Sequence, residues 1–281
     1  MVGVMAYEKL GGMPLDYRPC RYGKSKLLFR GPRRDLSGQY VAFLGGTETY
    51  GKFISRPYPA LVEARTGLKC VNLGWPNAGI DVFLHDPDVL SLAARAQVVV
   101  LQVLPAQNMS NRFYSVHPRR NDRFVEASPL LRSAYREVDF TEFHFTRHIL
   151  HRLRSVSEER FALVRAELQI AWIARMKLLL NQFGIPVVLL WLSSHRPGES
   201  ADQPHVSDDP AFVTAAMLEA LRPYVVQLVD ATASPGTQED GTRGMVFSQF
   251  DAAAAAELLG PAAHTEAAER LAPVIRDLVM G

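Results

Sequence analysis

Two nearly continuous apolar runs constrain the fold of this chain more than any other feature. They are Gln97–Val103, within AQVVVLQV, and Pro186–Leu192, within IPVVLLWL. Their apolar residues do not alternate with polar ones, a pattern typical of parallel strands that are covered by helices on both faces. We therefore predict that both runs are central strands of a parallel sheet.

Shorter runs of the same kind alternate with helical segments along the chain. We predict three further strands, at Tyr40–Leu44, Lys69–Leu73 and Val225–Val229, and helices at Ala60–Arg65, Val89–Arg95, Glu158–Phe183, Ala211–Leu221 and Thr265–Met280. This alternation indicates right-handed βαβ crossovers within one doubly wound sheet. The predicted fold is a three-layer α/β/α sandwich with a five-stranded parallel, flavodoxin-like sheet in the order 2-1-3-4-5.

Two segments lie outside this pattern. Residues 1–38 form an N-terminal extension that carries the basic stretch YRPCRYGKSKLLFRGPRR, interpreted either as a solvated face or as a contact for an anionic partner. Residues 39–281 form the α/β domain. Within it, residues 104–157 are too many for a simple crossover, and they predict a helical insertion after strand 3. We expect the insertion beside the carboxyl edge of the sheet, where open α/β sheets bind ligands.

The composition excludes several classes of protein. The 281 residues include 31 Lys and Arg and 29 Asp and Glu, a net charge of +2 that argues against nucleic-acid binding through overall charge. No uninterrupted apolar stretch reaches about 18 residues, so no membrane span is predicted. Cys20 and Cys70 are too few for a disulfide scaffold or a cysteine-rich zinc site. No basic segment followed by an apolar one opens the chain, and we expect a cytoplasmic protein.

The first predicted strand ends in the glycine-rich turn FLGGTETYG. Its glycines allow a sharp turn, so that the Thr47 hydroxyl can stand above the edge of the sheet, although a threonine here can equally cap a helix. GGTETYG resembles the GDSxTYG signature of the SGNH (GDSL-type) hydrolases. In this resemblance Gly46 stands where the family has aspartate, and Thr47 where it has the nucleophilic serine.

Later blocks extend the resemblance over Tyr40–Val103 and Pro186–Ile275. VNLGWPNAGID looks like the family's second block, which implies that the Gly74 N–H stabilises an oxyanion. GPAAHTEAAERLAPVI looks like the last block and places His264 at the catalytic histidine, with Pro261 where the family has aspartate; LVDATAS, with Asp230, is also similar to the family. The G-x-N-D block is absent after the third strand. Asn108 and Asn111 in QNMSN lie near enough to replace its asparagine, and we prefer Asn108.

The resemblance implies an SGNH-like hydrolase or acyltransferase that acts without a cofactor on an ester or acylated glycan. Thr47 would attack, His264 would be the base, and Gly74 and Asn108 would hold the oxyanion. Further substrate-binding candidates are Glu48, Asn77, Arg112, His117, Arg119, Arg120 and Arg123, whose guanidinium groups suit an anionic part of a small-molecule or glycan substrate. Three of the departures from the family pattern, Thr47 for serine, Pro261 for aspartate and the absent G-x-N-D block, would each lower catalysis. They leave open an alternative, a non-catalytic SGNH-like protein that recognises a glycan or a protein partner.

Other chemistries have weaker support. HPRRNDRFVEASPLLRSAY superficially resembles the phosphate-contacting segment of nucleotide-dependent sulfotransferases, which gives a second alternative. The segments around AQNMSNRFYSVHPRRNDRF are similar to an uncharacterised alphaproteobacterial family, which implies no function. His144, His148 and His151 share a predicted helix face but lack an H-E-x-x-H pattern, so no metal site is predicted. The sequence leaves the oligomeric state open.

Overall fold

The computed structural model describes residues 15–197 and 209–281, and residues 1–14 of the predicted N-terminal extension lie outside that part. The strands are β1 (Val41–Gly45), β2 (Cys70–Gly74), β3 (Val98–Gln102), β4 (Tyr114–His117), β5 (Arg120–Ala127), β6 (Val187–Trp191) and β7 (Gln227–Asp230). The main sheet has the order β2-β1-β3-β6-β7 with every neighbouring pair parallel. The predicted five-stranded sheet and its order are confirmed.

Helices cover both faces of this sheet. They are α1 (Thr47–Tyr50), α2 (Tyr58–Thr66), α3 (Ile80–Leu84), α4 (Pro87–Ala94), α5 (Pro129–Ala134), α6 (Thr146–Val156), α7 (Glu158–Leu180), α8 (Ala215–Glu219), α9 (Pro235–Asp240), α10 (Ala252–Ala256) and α11 (Pro261–Met280). Helices α2 and α11 share a core with one face of the sheet, whereas α3, α4 and α7 share a core with the other. The molecule therefore has the three layers that the sequence predicts.

The strands are apolar on both sides because both sides are buried. In β3, for example, Val99 and Leu101 point into the core beneath α7, while Val98 and Val100 point into the core beneath α11. Burying a large aliphatic side chain stabilises the folded state by about 1.5–3 kcal/mol. Each continuous apolar strand thus contributes side chains to both cores, whereas a strand that alternates apolar and polar residues contributes to only one.

Two helices differ from their predicted bounds in ways that affect the site. Helix α11 begins at Pro261 instead of Thr265, because proline is well suited to the first position of a helix. His264 therefore lies in its first turn. Helix α8 is shorter than the predicted Ala211–Leu221, since the Thr214 side chain caps it by accepting the Met217 N–H.

The predicted insertion contains α5 and α6, and in addition an antiparallel hairpin of β4 and β5 that the sequence pattern did not predict. Asn121 fastens this hairpin to the rest of the domain. Its side chain is fully buried, and its Oδ1 accepts the backbone N–H groups of Gly79 at 3.1 Å and Val82 at 3.0 Å. Since Gly79 precedes α3, the hairpin is anchored beside the loop that follows β2.

The described part of the N-terminal segment packs against the domain. Tyr22, Leu27 and Phe29 are buried in the core beneath α4 and α7. Arg30 donates from Nη1 to the carbonyl oxygen of Gly51 at 2.6 Å and from Nη2 to that of Ser55 at 2.9 Å. Part of the basic stretch therefore holds the loop after α1 and is not a solvated face.

In the part of the chain that the structure describes, none of the helices combines the length and the apolar character needed to cross a bilayer.

Replacing Gly79 by alanine tests the packing of the hairpin region. A Cβ atom at Gly79 would overlap the carbonyl oxygen of Asn108, so Gly79→Ala should lower the free energy of unfolding by about 2–4 kcal/mol in urea titrations. Gly236→Ala is the matched control, because a Cβ atom there meets no other atom within 4 Å. Equal stabilities for the two variants would contradict the close approach.

Candidate functional site

The candidate site lies at the carboxyl edge of the sheet. In the sheet, β2 lies on one side of β1 and β3 lies on the other. The chain therefore reverses its direction of winding between β1 and β3. Open α/β sheets bind ligands in the crevice at such a reversal. Thr47 follows β1 and Asn108 follows β3, which places both beside this point.

Gln102, at the end of β3, anchors the turn that carries Thr47. Its Oε1 accepts three hydrogen bonds, from the Gly46 N–H at 3.0 Å, the Thr49 N–H at 3.2 Å and the Thr49 hydroxyl at 2.6 Å. The Gln102 side chain is buried. A Cβ atom on Gly45 would overlap the Thr49 hydroxyl, so only glycine permits this close approach. The turn after β1 is thereby fixed to the neighbouring strand.

Thr47 is partly exposed, and its hydroxyl group is held by Asn77. The Asn77 backbone N–H donates to Thr47 Oγ1 at 3.0 Å, and Oγ1 donates to Asn77 Oδ1 at 3.2 Å. Asn77 Nδ2 donates to Asp122 Oδ2 at 3.2 Å, and this bond fixes which end of the amide faces Thr47. Asn77 itself has a left-handed φ of 55°, which asparagine tolerates better than most residues. The predicted residues Thr47 and Asn77 therefore meet.

Asn108 forms a hydrogen bond with Asn77 and so extends this group. Its Nδ2 donates to the carbonyl oxygen of Asn77 at 3.3 Å, and its Oδ1 accepts the Thr146 hydroxyl at 2.9 Å. Asn108 is buried, and its amide supports the loop that carries Asn77. An oxyanion role for Asn108 remains a prediction, and it would require Nδ2 to turn from Asn77 towards the ligand.

Gly74 lies where β2 ends beside α1. Its N–H donates to Asn72 Oδ1 at 2.9 Å, so this donor is already in use. A Cβ atom at Gly74 would overlap the backbone nitrogen of Tyr50. The close approach of two backbones explains why glycine stands here. The predicted oxyanion role of Gly74 remains a prediction.

His264 pairs with Glu48, the residue next to Thr47. His264 Nδ1 accepts the backbone N–H of Tyr58 at 3.2 Å, and Nε2 lies 3.3 Å from Glu48 Oε2. Glu48, predicted to bind substrate, is buried, and its Oε1 accepts the Leu259 N–H at 3.1 Å. Because Nδ1 accepts a hydrogen bond, a neutral ring carries its proton on Nε2, which lies near Glu48 but forms no hydrogen bond with any described residue. Among the described residues no hydrogen bond joins His264 to Thr47.

The ring of His264 is fully buried against Tyr58. Their ring centroids are 5.9 Å apart in a stacked arrangement, and the Tyr58 hydroxyl lies 2.7 Å from the Thr49 hydroxyl. Burial raises the pKa of Tyr58 well above its ordinary value, so the phenol stays protonated. These contacts link the histidine of α11 to the turn that carries Thr47.

The predicted arginine cluster is divided between two places. Arg112 Nε donates to Glu167 of α7 at 2.8 Å. The other arginines lie on the hairpin, where His117 Nδ1 accepts the N–H groups of Arg119 and Arg120, each at 3.2 Å, and closes the turn. Arg112 is therefore engaged in an ion pair with α7, apart from the hairpin turn.

Arg119 and Arg123 connect the hairpin to other parts of the site. The carbonyl oxygen of Arg119 accepts the indole N–H of Trp75, which follows β2, at 2.7 Å. The Arg123 guanidinium lies 4.1 Å from the centroid of the Phe145 ring. Its Nε is buried and has no acceptor in the described part of the chain. Arg119 thus lies beside the loop of Asn77, whereas Arg123 lies against Phe145, which precedes α6.

Asp209 is a residue that the sequence pattern did not single out. The Ser193 hydroxyl donates to its carbonyl oxygen at 2.7 Å, and the nearby Ala106 N–H donates to Ala211, which places this segment beside the chain after β3. Asp209 is an exposed residue, yet desolvation of its carboxyl group and the negative charge of Glu48 both act on that group. Both effects raise its pKa, to about 7, while Arg147 lowers it in part.

Cavities and metal sites do not coincide with this group. Two cavities of about 470 and 240 Å³ are lined by the N-terminal segment with α4 and by the same segment with the loop after α1, and neither includes Thr47, Asn77 or Asn108. Within residues 15–197 and 209–281, no three His, Cys, Asp or Glu side chains lie close enough to hold a metal ion.

Substitution of Gln102 tests the anchoring of the turn. Gln102→Leu removes the acceptor of three buried donors and should lower the free energy of unfolding by about 3–5 kcal/mol in urea titrations. Gln102→Glu keeps an acceptor oxygen and should lose less. If the leucine variant were as stable as the glutamate variant, the three hydrogen bonds would not hold the turn.

The raised pKa of Asp209 predicts a dependence of stability on pH. Since the folded pKa of about 7 exceeds the ordinary value of 3.8, the folded state binds more protons than the unfolded state between about pH 4 and 7. The free energy of unfolding should therefore fall as pH rises through this window. In thermal unfolding, the stability of Asp209→Asn should fall less over this pH window than that of the wild type. Asp277→Asn, at an exposed position of α11, is the control and should fall as much as the wild type. An unchanged pH profile in Asp209→Asn would refute this.

The solved structures that resemble this chain include several esterases. A lipase from a goat rumen metagenome has a TM-score of 0.42 and 13% identity, over 83% of this chain and 96% of the other. A carbohydrate acetylesterase family member from Sinorhizobium meliloti has a TM-score of 0.42 and 9% identity, over 87% and 100%. A variant of an acetyl-xylooligosaccharide esterase from Geobacillus has a TM-score of 0.40 and 12% identity, over 86% and 94%.

No match was found among the curated proteins. A single family model covers nearly the whole sequence, from residue 5 to residue 279. The chain belongs to the family described as a domain of unknown function, DUF6473.

Proposed function

We propose that this protein is an SGNH-like hydrolase or acyltransferase that acts on an ester or an acylated glycan through Thr47. The observation that carries the proposal is the position of the Thr47 hydroxyl. It lies directly after β1, at the point where the winding of the sheet reverses, and is held between the N–H and Oδ1 of Asn77. A ligand in the crevice between β1 and β3 would meet this hydroxyl first.

In the proposed reaction, Thr47 Oγ1 attacks the acyl carbon and its proton passes to a base. The alcohol part of the substrate leaves with a proton, and an acyl ester of Thr47 remains. Water then releases the acid in hydrolysis, or a second alcohol takes the acyl group in transfer. The methyl group of threonine stiffens the side chain and crowds the acyl carbon, so the reaction should be slower than with serine.

The base in this proposal is His264, with Glu48 as its carboxylate partner. Pro261 stands where the resemblance expects an aspartate, but Glu48 Oε2 faces His264 Nε2 at 3.3 Å and can orient the ring. The basic nitrogen is then Nδ1, which now accepts the Tyr58 N–H. Catalysis therefore requires Nδ1 to release the Tyr58 N–H and to accept the Thr47 proton while Nε2 stays beside Glu48.

The same contacts favour a second candidate, binding without hydrolysis. His264 Nδ1 and the Gly74 N–H are both engaged, by Tyr58 and Asn72. A site whose base and oxyanion donor are both occupied can still hold a polar ligand through Thr47 and Asn77. In this candidate the protein recognises the acylated glycan and leaves it intact.

The arginines of the hairpin favour a polar or anionic ligand, whether the protein hydrolyses the ligand or only binds it. Arg119 and Arg120 are exposed at its turn, and the bond from Trp75 to Arg119 holds that turn beside the loop of Asn77. Guanidinium groups bind carboxylate, phosphate or sulfate groups through paired hydrogen bonds. We expect the ligand to carry such a group next to its acyl ester.

Substitution of Thr47 tests the proposal with p-nitrophenyl acetate as the probe. Thr47→Ala should lower kcat/KM roughly a thousandfold or to background, because it removes the attacking oxygen. Thr47→Ser should raise kcat, since it removes the crowding methyl group. Thr141→Ala, an exposed threonine of the insertion, is the matched control and should leave activity unchanged.

Activity that persists in Thr47→Ala would remove Thr47 from the reaction. If no variant hydrolyses the probe, calorimetric titration with acetylated and deacetylated xylo-oligosaccharides separates the candidates. Binding of the acetylated form that weakens in Thr47→Ala would favour recognition without hydrolysis. Absence of both hydrolysis and binding would contradict both candidates for this substrate class.

A further inference from the structure

Helix α7 carries an apolar stripe on its outer surface. Leu163 and Ile170 are 68% and 64% exposed, respectively. Ala166 and Ala174 are also exposed, and Ile173 is partly exposed. The opposite side of the helix is buried in the core through residues such as Phe161 and Trp172. We call Leu163, Ala166, Ile170, Ile173 and Ala174 the α7 stripe.

The spacing of the α7 stripe places its members on one face. Residues separated by three or four positions are neighbours on a helix surface, and such an apolar face on a soluble helix ordinarily packs against another element. Charged residues stand at the two ends of this face. Glu159 lies one turn before Leu163, and Lys177 lies one turn after Ile173. The face is therefore acidic at its start, apolar in the middle and basic at its end.

We propose that the α7 stripe is the interface of a homodimer in which the α7 helices of two copies pack antiparallel about a two-fold axis. If Ala166 lies opposite Ile170 of the partner subunit, the geometry also sets Leu163 opposite Ile173 of the partner subunit. In both pairs the contacts recur by symmetry, as an interface between identical copies requires. Ala166 gives room for the larger isoleucine.

The charges at the ends favour a second copy in this orientation. In the same register, Glu159 lies opposite Lys177 of the partner subunit, and the symmetry produces this pair twice. A parallel arrangement would instead place glutamate against glutamate. Within the described chain Glu159 forms no ion pair, and Lys177 contacts the ring of Tyr224 without a carboxylate partner. Both charges are therefore available to a partner.

The α7 stripe is long enough for a small, specific contact. From Glu159 to Lys177 the face extends for about 27 Å at 1.5 Å per residue. Two helices packed along that length, with their flanking side chains, bury on the order of 1,000 Å², near the lower end of specific interfaces. Because α7 covers one face of the sheet, this contact leaves the carboxyl edge with Thr47 open. The inference does not depend on the proposed function.

Sedimentation velocity over a range of concentrations tests the interface. The wild type should form a species of twice the 31.3 kDa mass of one chain. Ile170→Glu should raise the dimer Kd by roughly a hundredfold or more, because it buries a charge at the centre of the interface. Phe250→Glu is the matched control, since Phe250 is 99% exposed but lies outside α7, and it should leave the Kd unchanged. Far-ultraviolet circular dichroism should be the same for all three proteins.

Charge exchange tests the antiparallel register. Glu159→Lys and Lys177→Glu should each raise the Kd roughly three- to tenfold, and the double variant should restore it, because the pairs re-form with their signs exchanged. A wild type that stays monomeric up to roughly millimolar concentration would overturn the proposal, as would a dimer that Ile170→Glu leaves intact. A double variant weaker than both single variants would overturn the antiparallel register.

Discussion

One buried side-chain oxygen determines the geometry of the candidate site. Gln102 Oε1 accepts two backbone N–H groups and one hydroxyl from the turn after β1, and without it three donors would be buried without a partner. Those bonds fix the start of α1 relative to β3. The position of Thr47 follows from that anchor, because Thr47 lies between Gly46 and Thr49, the two residues that Gln102 holds.

Three segments that are distant in sequence then meet around Asn77, which holds the Thr47 hydroxyl. The loop after β2 contributes Asn77, the chain after β3 contributes Asn108, and the hairpin contributes Asp122, which orients the Asn77 amide. The insertion is therefore part of the site, since its hairpin and Thr146 complete the hydrogen bonds of the two asparagines. Removing Asn108 would leave the buried Thr146 hydroxyl without its acceptor, whereas the bonds of Asn77 to Thr47 and Asp122 are exposed to solvent.

The fold could be predicted from the sequence because it follows from local pattern. Continuous apolar runs require burial on both faces, and one parallel sheet between helices satisfies that requirement. The turn with Thr47 could also be located, since the glycines mark it. The contacts of His264 could not, because the pairing with Glu48 and Tyr58 brings together residues more than two hundred positions apart. The hairpin was missed because β4 is only 4 residues long and β5 is rich in polar residues and lacks regular alternation.

The role of Gln102 as a buried hydrogen-bonding residue could have been inferred from the sequence. A polar side chain within an otherwise apolar, doubly buried strand must find partners inside the protein. Its position at the end of β3 places those partners at the carboxyl edge. Asp209 offered no comparable signal, because its environment depends on Glu48 and Arg147 from other elements. The sequence pattern thus indicates which side chains are buried, whereas the contacts between them depend on the fold.

We propose that the Thr47 hydroxyl is the group that reacts with an acyl ester. The most direct measurement is peptide mass spectrometry of the protein after brief reaction with p-nitrophenyl acetate and quenching in acid. The account predicts one acetyl group on the peptide that contains Thr47, bound to the threonine. Acetylation confined to lysine residues, with the Thr47 peptide unmodified under conditions of measurable turnover, would contradict it.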